Sequence, residues 1–188
     1  MGKIKLIVVF LILLFCFPKS ISASVKEAGS SARIIPVGKK TAQNVDSVDV
    51  KLKRNVIREV LAKYNSPLLD ETDAFIETCT KYKIDCYLLP SIAGLESTFG
   101  KHTLSGSFNP FGWGGGLLIF NSWADGIDAV GAGLSQNYIG RGANTIEEIG
   151  PIYAASPTWA VRVNYFYNEF AAVEAEKQLY FSKLAVEL

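Results

Sequence analysis

The sequence predicts an α+β fold that is predominantly α-helical, a helical domain carrying one short glycine-rich β-hairpin. Three observations lead there. Apolar residues recur at helical spacing through most of the chain from Leu52 onward. Ser, Thr and Asp stand at the starts of those stretches, where helices need side chains that accept backbone N–H groups. One segment, Phe108 to Phe120, breaks the period with Pro110 and a run of three glycines, as a loop or short hairpin would.

The elements follow in order. Met1 to Ala23 has the form of a secretory signal: Lys3 and Lys5 are followed by an apolar run from Leu6 to Phe17 and by small residues at Ser22 and Ala23. That run is shorter than the roughly 20 residues of a membrane-spanning helix. Cleavage near Ala23 yields a secreted, periplasmic or envelope protein. Membrane contact is then expected only through the signal segment. Cleavage removes Lys3, Lys5 and Lys19 and no acid, taking the formal charge from +1 to −2. Residues 24–51 lack a helical period and read as a flexible basic linker. Residues 52–175 form the expected domain, and 176–188 a helical extension or tail.

Within the domain, Val56, Ile57, Val60 and Leu61 make one stripe that stops before Ser66-Pro67. Asp70 with Asp73 suggests a capping box for a helix through Tyr82. Asp85 can cap the next helix, with Pro90 in its first turn, apolar positions at Leu88, Ile92, Leu95 and Phe99, and Gly100 at its end. Ser122 with Asp125 opens a helix that places Trp123, Ile127, Val130, Leu134 and Tyr138 on one face. Thr145 with Glu148 opens a short helix ending near Tyr153, and Ser156-Pro157 starts a long last one with Ala160, Val163, Phe166, Tyr167 and Phe170 inward.

After signal cleavage only Cys79 and Cys86 remain. In an oxidising compartment they form either a disulfide between two helix ends or two buried free thiols. With a single histidine, His102, there is no credible zinc site or thiol-protease constellation, and nothing calls for a metal or an organic cofactor. The charge pattern does not resemble a nucleic-acid-binding surface.

Glu96 is the candidate for chemistry. It falls four residues after Ile92, at the edge of the buried stripe, and in the last turn of its helix. Partial burial and the negative end of the helix dipole suit a carboxyl group that donates a proton. The loop after it contains Asn109, Phe111, Gly112 and Trp113, residues able to stack on a sugar ring and to hydrogen-bond its substituents.

These residues carry a resemblance. Leu89-Pro90-Ser91-Ile92-Ala93-Gly94-Leu95-Glu96-Ser97-Thr98-Phe99-Gly100 resembles the catalytic-helix motif of the bacterial glucosaminidase domains of the lysozyme-like superfamily (glycoside hydrolase family 73, mannosyl-glycoprotein endo-beta-N-acetylglucosaminidase-like). Asn109-Pro110-Phe111-Gly112-Trp113 resembles the Asn-containing start of the hairpin in that family, and Phe120-Asn121-Ser122-Trp123 the strand that leaves it. Ile152-Tyr153-Ala154-Ala155-Ser156-Pro157-Thr158-Trp159-Ala160 resembles a Tyr-Ala and Pro-aromatic-Ala segment near the domain's end. The resemblance spans roughly residues 52–172. It implies a lysozyme-like fold and an exported monomeric hydrolase acting on peptidoglycan glycan strands. The bond cut would be the β-1,4 bond after N-acetylglucosamine, with Glu96 as general acid and Tyr153 near the cleaved bond. Asn109, Phe111, Gly112, Trp113 and Trp159 would contact substrate.

The loop departs from that family in having no acid between Phe108 and Asn121. Glycosidases ordinarily use two carboxylates. The next acids are Asp125 and Asp128, and Asp125 has a ready explanation as the partner of Ser122. The alternatives are therefore a lytic transglycosylase, in which the sugar's own 6-hydroxyl attacks, or a non-catalytic glycan-binding or envelope interaction module of the same fold.

Overall fold

The computed structural model describes residues 38–186, with side chains described for 48–183. The signal segment and the start of the basic linker lie outside the described residues. Among them are six α-helices: α1 (Gly38–Lys63), α2 (Thr72–Tyr82), α3 (Leu88–Ser97), α4 (Trp123–Asn137), α5 (Ile146–Tyr153) and α6 (Trp159–Val186). Short 3-10 turns lie at Leu69–Glu71 and Ile139–Arg141.

The apolar stripes meet as their spacing requires. Val56, Ile57, Val60 and Leu61 of α1 are buried, as are Ile127, Val130 and Leu134 of α4 and Val163 and Phe170 of α6. α2 packs on α4, while α3 and α1 both pack on α6. The α3–α6 seam is aromatic. Phe99, just past α3, meets Phe166 edge-on at 5.3 Å, and Tyr87, just before α3, stacks on Phe170 at 5.4 Å. Ion pairs from Lys53 to Glu174 and from Lys177 to Glu59 tie the far part of α6 to α1.

Four sequence expectations are corrected. Helix α1 begins at Gly38, so the segment from there to 51 is helical and not linker. Helical spacing shows only where apolar residues recur, and the sequence of this stretch has helix-forming residues such as Lys, Ala and Gln without an apolar period. Asp70 caps nothing: the 3-10 turn runs straight into α2, and neither element has a side-chain cap. The Asp73 carboxylate accepts instead from Arg54 Nε at 2.6 Å. Helix α3 ends in left-handed residues at Thr98 and Phe99 before Gly100 is reached. Finally, no strand occurs among the described residues. The 108–121 segment is a loop of turns, with one backbone bond across its base, Phe120 N–H to the Ser107 carbonyl at 2.8 Å. Its glycine run folds back on itself, the Gly116 N–H reaching the Gly112 carbonyl, where a hairpin would have paired.

Other expectations are met in whole or in part. Asp85 Oδ1 accepts from the Tyr87 N–H in a turn just ahead of α3, but the cap position of that helix is Tyr87 and no side chain caps it, so Asp85 is not the helix cap that the sequence suggested. Thr145 and Glu148 form a full reciprocal capping box, whereas at Ser122 the side chain accepts from the Asp125 N–H and forms half of one. Cys79 and Cys86 are disulfide-bonded with Cα atoms 4.9 Å apart, fastening the end of α2 to the start of α3. Helix α6 runs unbroken past 175 to Val186, so the expected C-terminal extension is part of it.

Candidate functional site

The site is assembled where α3 ends. The turn after Glu96 holds two successive non-glycine residues at positive φ, Thr98 and Phe99, a conformation that persists only where surroundings impose it. Three contacts impose it here. The Phe99 ring is fully buried, and its carbonyl accepts from Ser66 Oγ at 2.8 Å. Ser97 Oγ donates to the Pro110 carbonyl at 2.7 Å and accepts from the Gly100 N–H. Ser97 thus sews the end of the helix to the start of the loop and brings residues 110–112 against Glu96.

The loop is shaped from within. Asn109 is buried, and its amide bonds the Trp113 N–H, the Trp113 carbonyl and the Leu118 carbonyl at 3.0, 2.9 and 3.1 Å. Phe111 is fully buried in the core. Neither is placed to touch a substrate as the sequence suggested: one is spent on the turn and the other on packing. Gly112 does come to the site. Its φ is +62°, and a β-carbon there would lie 3.2 Å from Glu96 Oε2, so the backbone passes the carboxyl group closely because it has no side chain.

Glu96 itself is exposed, so the partial burial expected for it is not found. Its Oε1 accepts from the indole Nε1 of Trp159 at 2.7 Å. Trp159 is 3 % exposed, which excludes it as a sugar-stacking surface and makes it a fixed donor to the carboxyl group. Tyr153 stacks on the Trp159 ring at 4.7 Å with an interplanar angle of 26°. Its hydroxyl donates to the Phe111 carbonyl at 2.7 Å. Burial, and secondarily the charge of Glu96, holds the Tyr153 phenol well above its ordinary range, so it stays neutral.

Beside Glu96 opens a cleft of about 340 Å³ lined by Gly112, Trp113, Gly114, Gly115, Tyr138 and Tyr153. Trp113, half-buried, lies 5.6 Å from Tyr153 and 5.9 Å from Tyr138, ring centroid to ring centroid. Tyr138 joins the site although its sequence position reads as the end of the inward face of α4. Its spacing of four after Leu134 carries the face to the cleft edge.

Among the described residues no carboxylate lines this cleft: Glu96 stands beside it at Gly112, and no second acid joins it there. Asp128 pairs with Lys81 at 2.8 Å and accepts from Tyr82 Oη at 3.1 Å, fastening α4 to α2. Asp125 is exposed in the first turn of α4, and neither lines the cleft. His102 is an exposed loop residue. No cluster of three or more His, Cys, Asp or Glu suited to a metal occurs among the described residues.

No protein-family model matches the chain, and a comparison with curated proteins gives no match.

Proposed function

We propose that this protein is an exported glycan-cleaving enzyme of lysozyme-like type, acting on peptidoglycan after N-acetylglucosamine with Glu96 as general acid. The observation that carries the reading is the Glu96 carboxyl group beside an open aromatic cleft, with one oxygen fixed by the buried Trp159 indole. An indole N–H can only donate. Oε1 therefore accepts in either protonation state, and a transferable proton belongs on Oε2, the oxygen that faces Gly112. Trp113, Tyr138 and Tyr153 supply rings of the kind that stack on pyranose faces, and the 108–121 loop follows the Glu96 helix in the chain order that the resembled glucosaminidase domains have for their hairpin. Replacing the acid by an isosteric amide tests this: Glu96→Gln, checked for unchanged circular dichroism, loses release of soluble fragments from purified peptidoglycan by a factor of about 10²–10⁴, the usual worth of a positioned general acid. Equal release by the variant overturns the reading.

The missing second carboxylate favours one alternative reaction. A cleft with Glu96 beside it and no second acid among the described residues suits attack on the anomeric carbon by the sugar's own 6-hydroxyl. Glu96 would protonate the departing oxygen and then take the hydroxyl proton, and no water would be consumed. An anhydro-muramic end on the fragments marks that route, and a reducing N-acetylglucosamine end marks hydrolysis.

A further inference from the structure

A second hollow, of about 550 Å³, lies between α5, the loop after it and the start of α6. Its walls are Gly150, Pro151, Ala154, Ala155, Pro157 and Ala160, and among the described residues Glu147 is the one ionisable group lining it. Ala154 directly follows Tyr153 and Ala160 directly follows Trp159. Gly150 backs the same indole: a β-carbon there would sit 3.3 Å from Trp159 Cε3. The hollow is thus lined by the residues that follow Tyr153 and Trp159, while Tyr153 itself lines the cleft beside Glu96. It contains no aromatic platform, unlike the cleft, so its surface suits methyl-sized side chains better than a sugar ring. Val161, at its lining, is 72 % exposed, and Ile152 nearby is 59 % exposed. Glu147 accepts from Asn164 Nδ2 at 2.6 Å, and its hydrogen bonds, that of its own backbone N–H first, hold it below the ordinary carboxylate range. It is thus anionic at any neutral pH, and a carboxylate has lone pairs for further donors.

We propose that this hollow holds a short peptide attached to the glycan, with alanine-sized side chains against the Ala and Pro walls and a free amine on Glu147. The proposal rests on the glycan-cleaving reading, because it needs a peptide carried on the sugar next to the cleaved bond to extend past Tyr153 to the hollow lined by Ala154. The acid selects the occupant's charge and the small-residue walls select its bulk.

The test compares two substrates with the full mature protein: soluble peptidoglycan chains with their peptides, and the same chains stripped by an amidase. The wild type has a KM about tenfold lower for the peptide-bearing chains, the size expected from one charge-assisted hydrogen bond plus modest apolar burial. Glu147→Gln and, independently, Ala155→Trp at an exposed loop position bring the two KM values together while leaving cleavage of stripped chains unchanged. Equal KM values in the wild type, or a preference that both variants retain, overturns the inference while leaving the glycan-cleaving reading intact. A wild type that cleaves neither substrate overturns that reading, and the inference with it.

Discussion

Glu96 and Trp159 are 63 residues apart in sequence and 2.7 Å apart at their polar atoms. Each contributes what the other lacks: an exposed carboxyl group needs fixing in direction, and a buried indole N–H needs an acceptor. Trp159→Phe keeps the ring that Tyr153 stacks on and removes the donor alone. The expected outcome is a kcat for peptidoglycan lower by about tenfold or more with KM little changed, since a hydrogen bond to a charged group is worth roughly 1.5–3 kcal/mol. An unchanged kcat contradicts a positioning role. The tyrosines give a second prediction at this scale. Tyr167 is pushed up to about 12 by burial first and then by its hydrogen bond to Asp85, and Tyr153 is raised by burial. A phenol whose folded pKa is raised stabilises the native state fully below the unfolded value of 10.0, and that contribution is lost as pH rises through the folded value. Denaturant midpoints should therefore fall between about pH 10 and pH 12, in step with phenolate absorbance. A flat midpoint across that window would sink the assignment.

Among the elements, α3 matters most because it carries Glu96, and it is fixed at both ends. Before its start the Cys79–Cys86 bond ties it to α2 and Asp85 closes a turn onto the Tyr87 N–H, and at its end Ser97 holds the loop. Titration of the unfolded protein should reveal no thiol from this pair until reductant is added. Replacing both cysteines by serine should cost about 2–3 kcal/mol, the value for closing so short a loop in the unfolded chain. A second element contact is tighter. Gly131 of α4 faces Thr78 of α2, and a β-carbon at 131 would lie 2.2 Å from Thr78 Cγ2. Gly131→Ala gains about 1 kcal/mol in helix propensity but overpacks the α2–α4 seam, for about 1–3 kcal/mol lost. Adding Thr78→Ser removes the opposing methyl and should recover most of the loss. If Gly131→Ala is as stable as wild type by denaturant midpoint, the seam is looser than described.

At the scale of the molecule, what could be read from the sequence divides along physical lines. Helices that bury a stripe were legible: Val56 to Leu61, Ile127 to Leu134 and Val163 to Phe170 all face inward as their spacing requires. The helical start at Gly38 was not, because propensity without an apolar pattern leaves no period. In the site, the place of Glu96 in the last turn of α3 was legible. The division of labour among its neighbours was not. Asn109, Phe111 and Trp159 have the chemistry of sugar-binding residues, yet each is buried and bound to another part of the chain. Sequence type cannot say whether a polar or aromatic group is spent on the protein itself. Tyr138 shows the reverse: a residue that reads as core lies at the cleft because α4 ends there.

The central claim is that Glu96 donates the proton that breaks a wall-glycan bond. Mass spectrometry of soluble fragments from purified peptidoglycan, digested in isotopically labelled water by wild type and by Glu96→Gln in parallel, tests it most directly. The account predicts fragments with labelled reducing N-acetylglucosamine ends from the wild type and essentially none from the variant. Fragments released in equal amount by both proteins, or by neither, would contradict it.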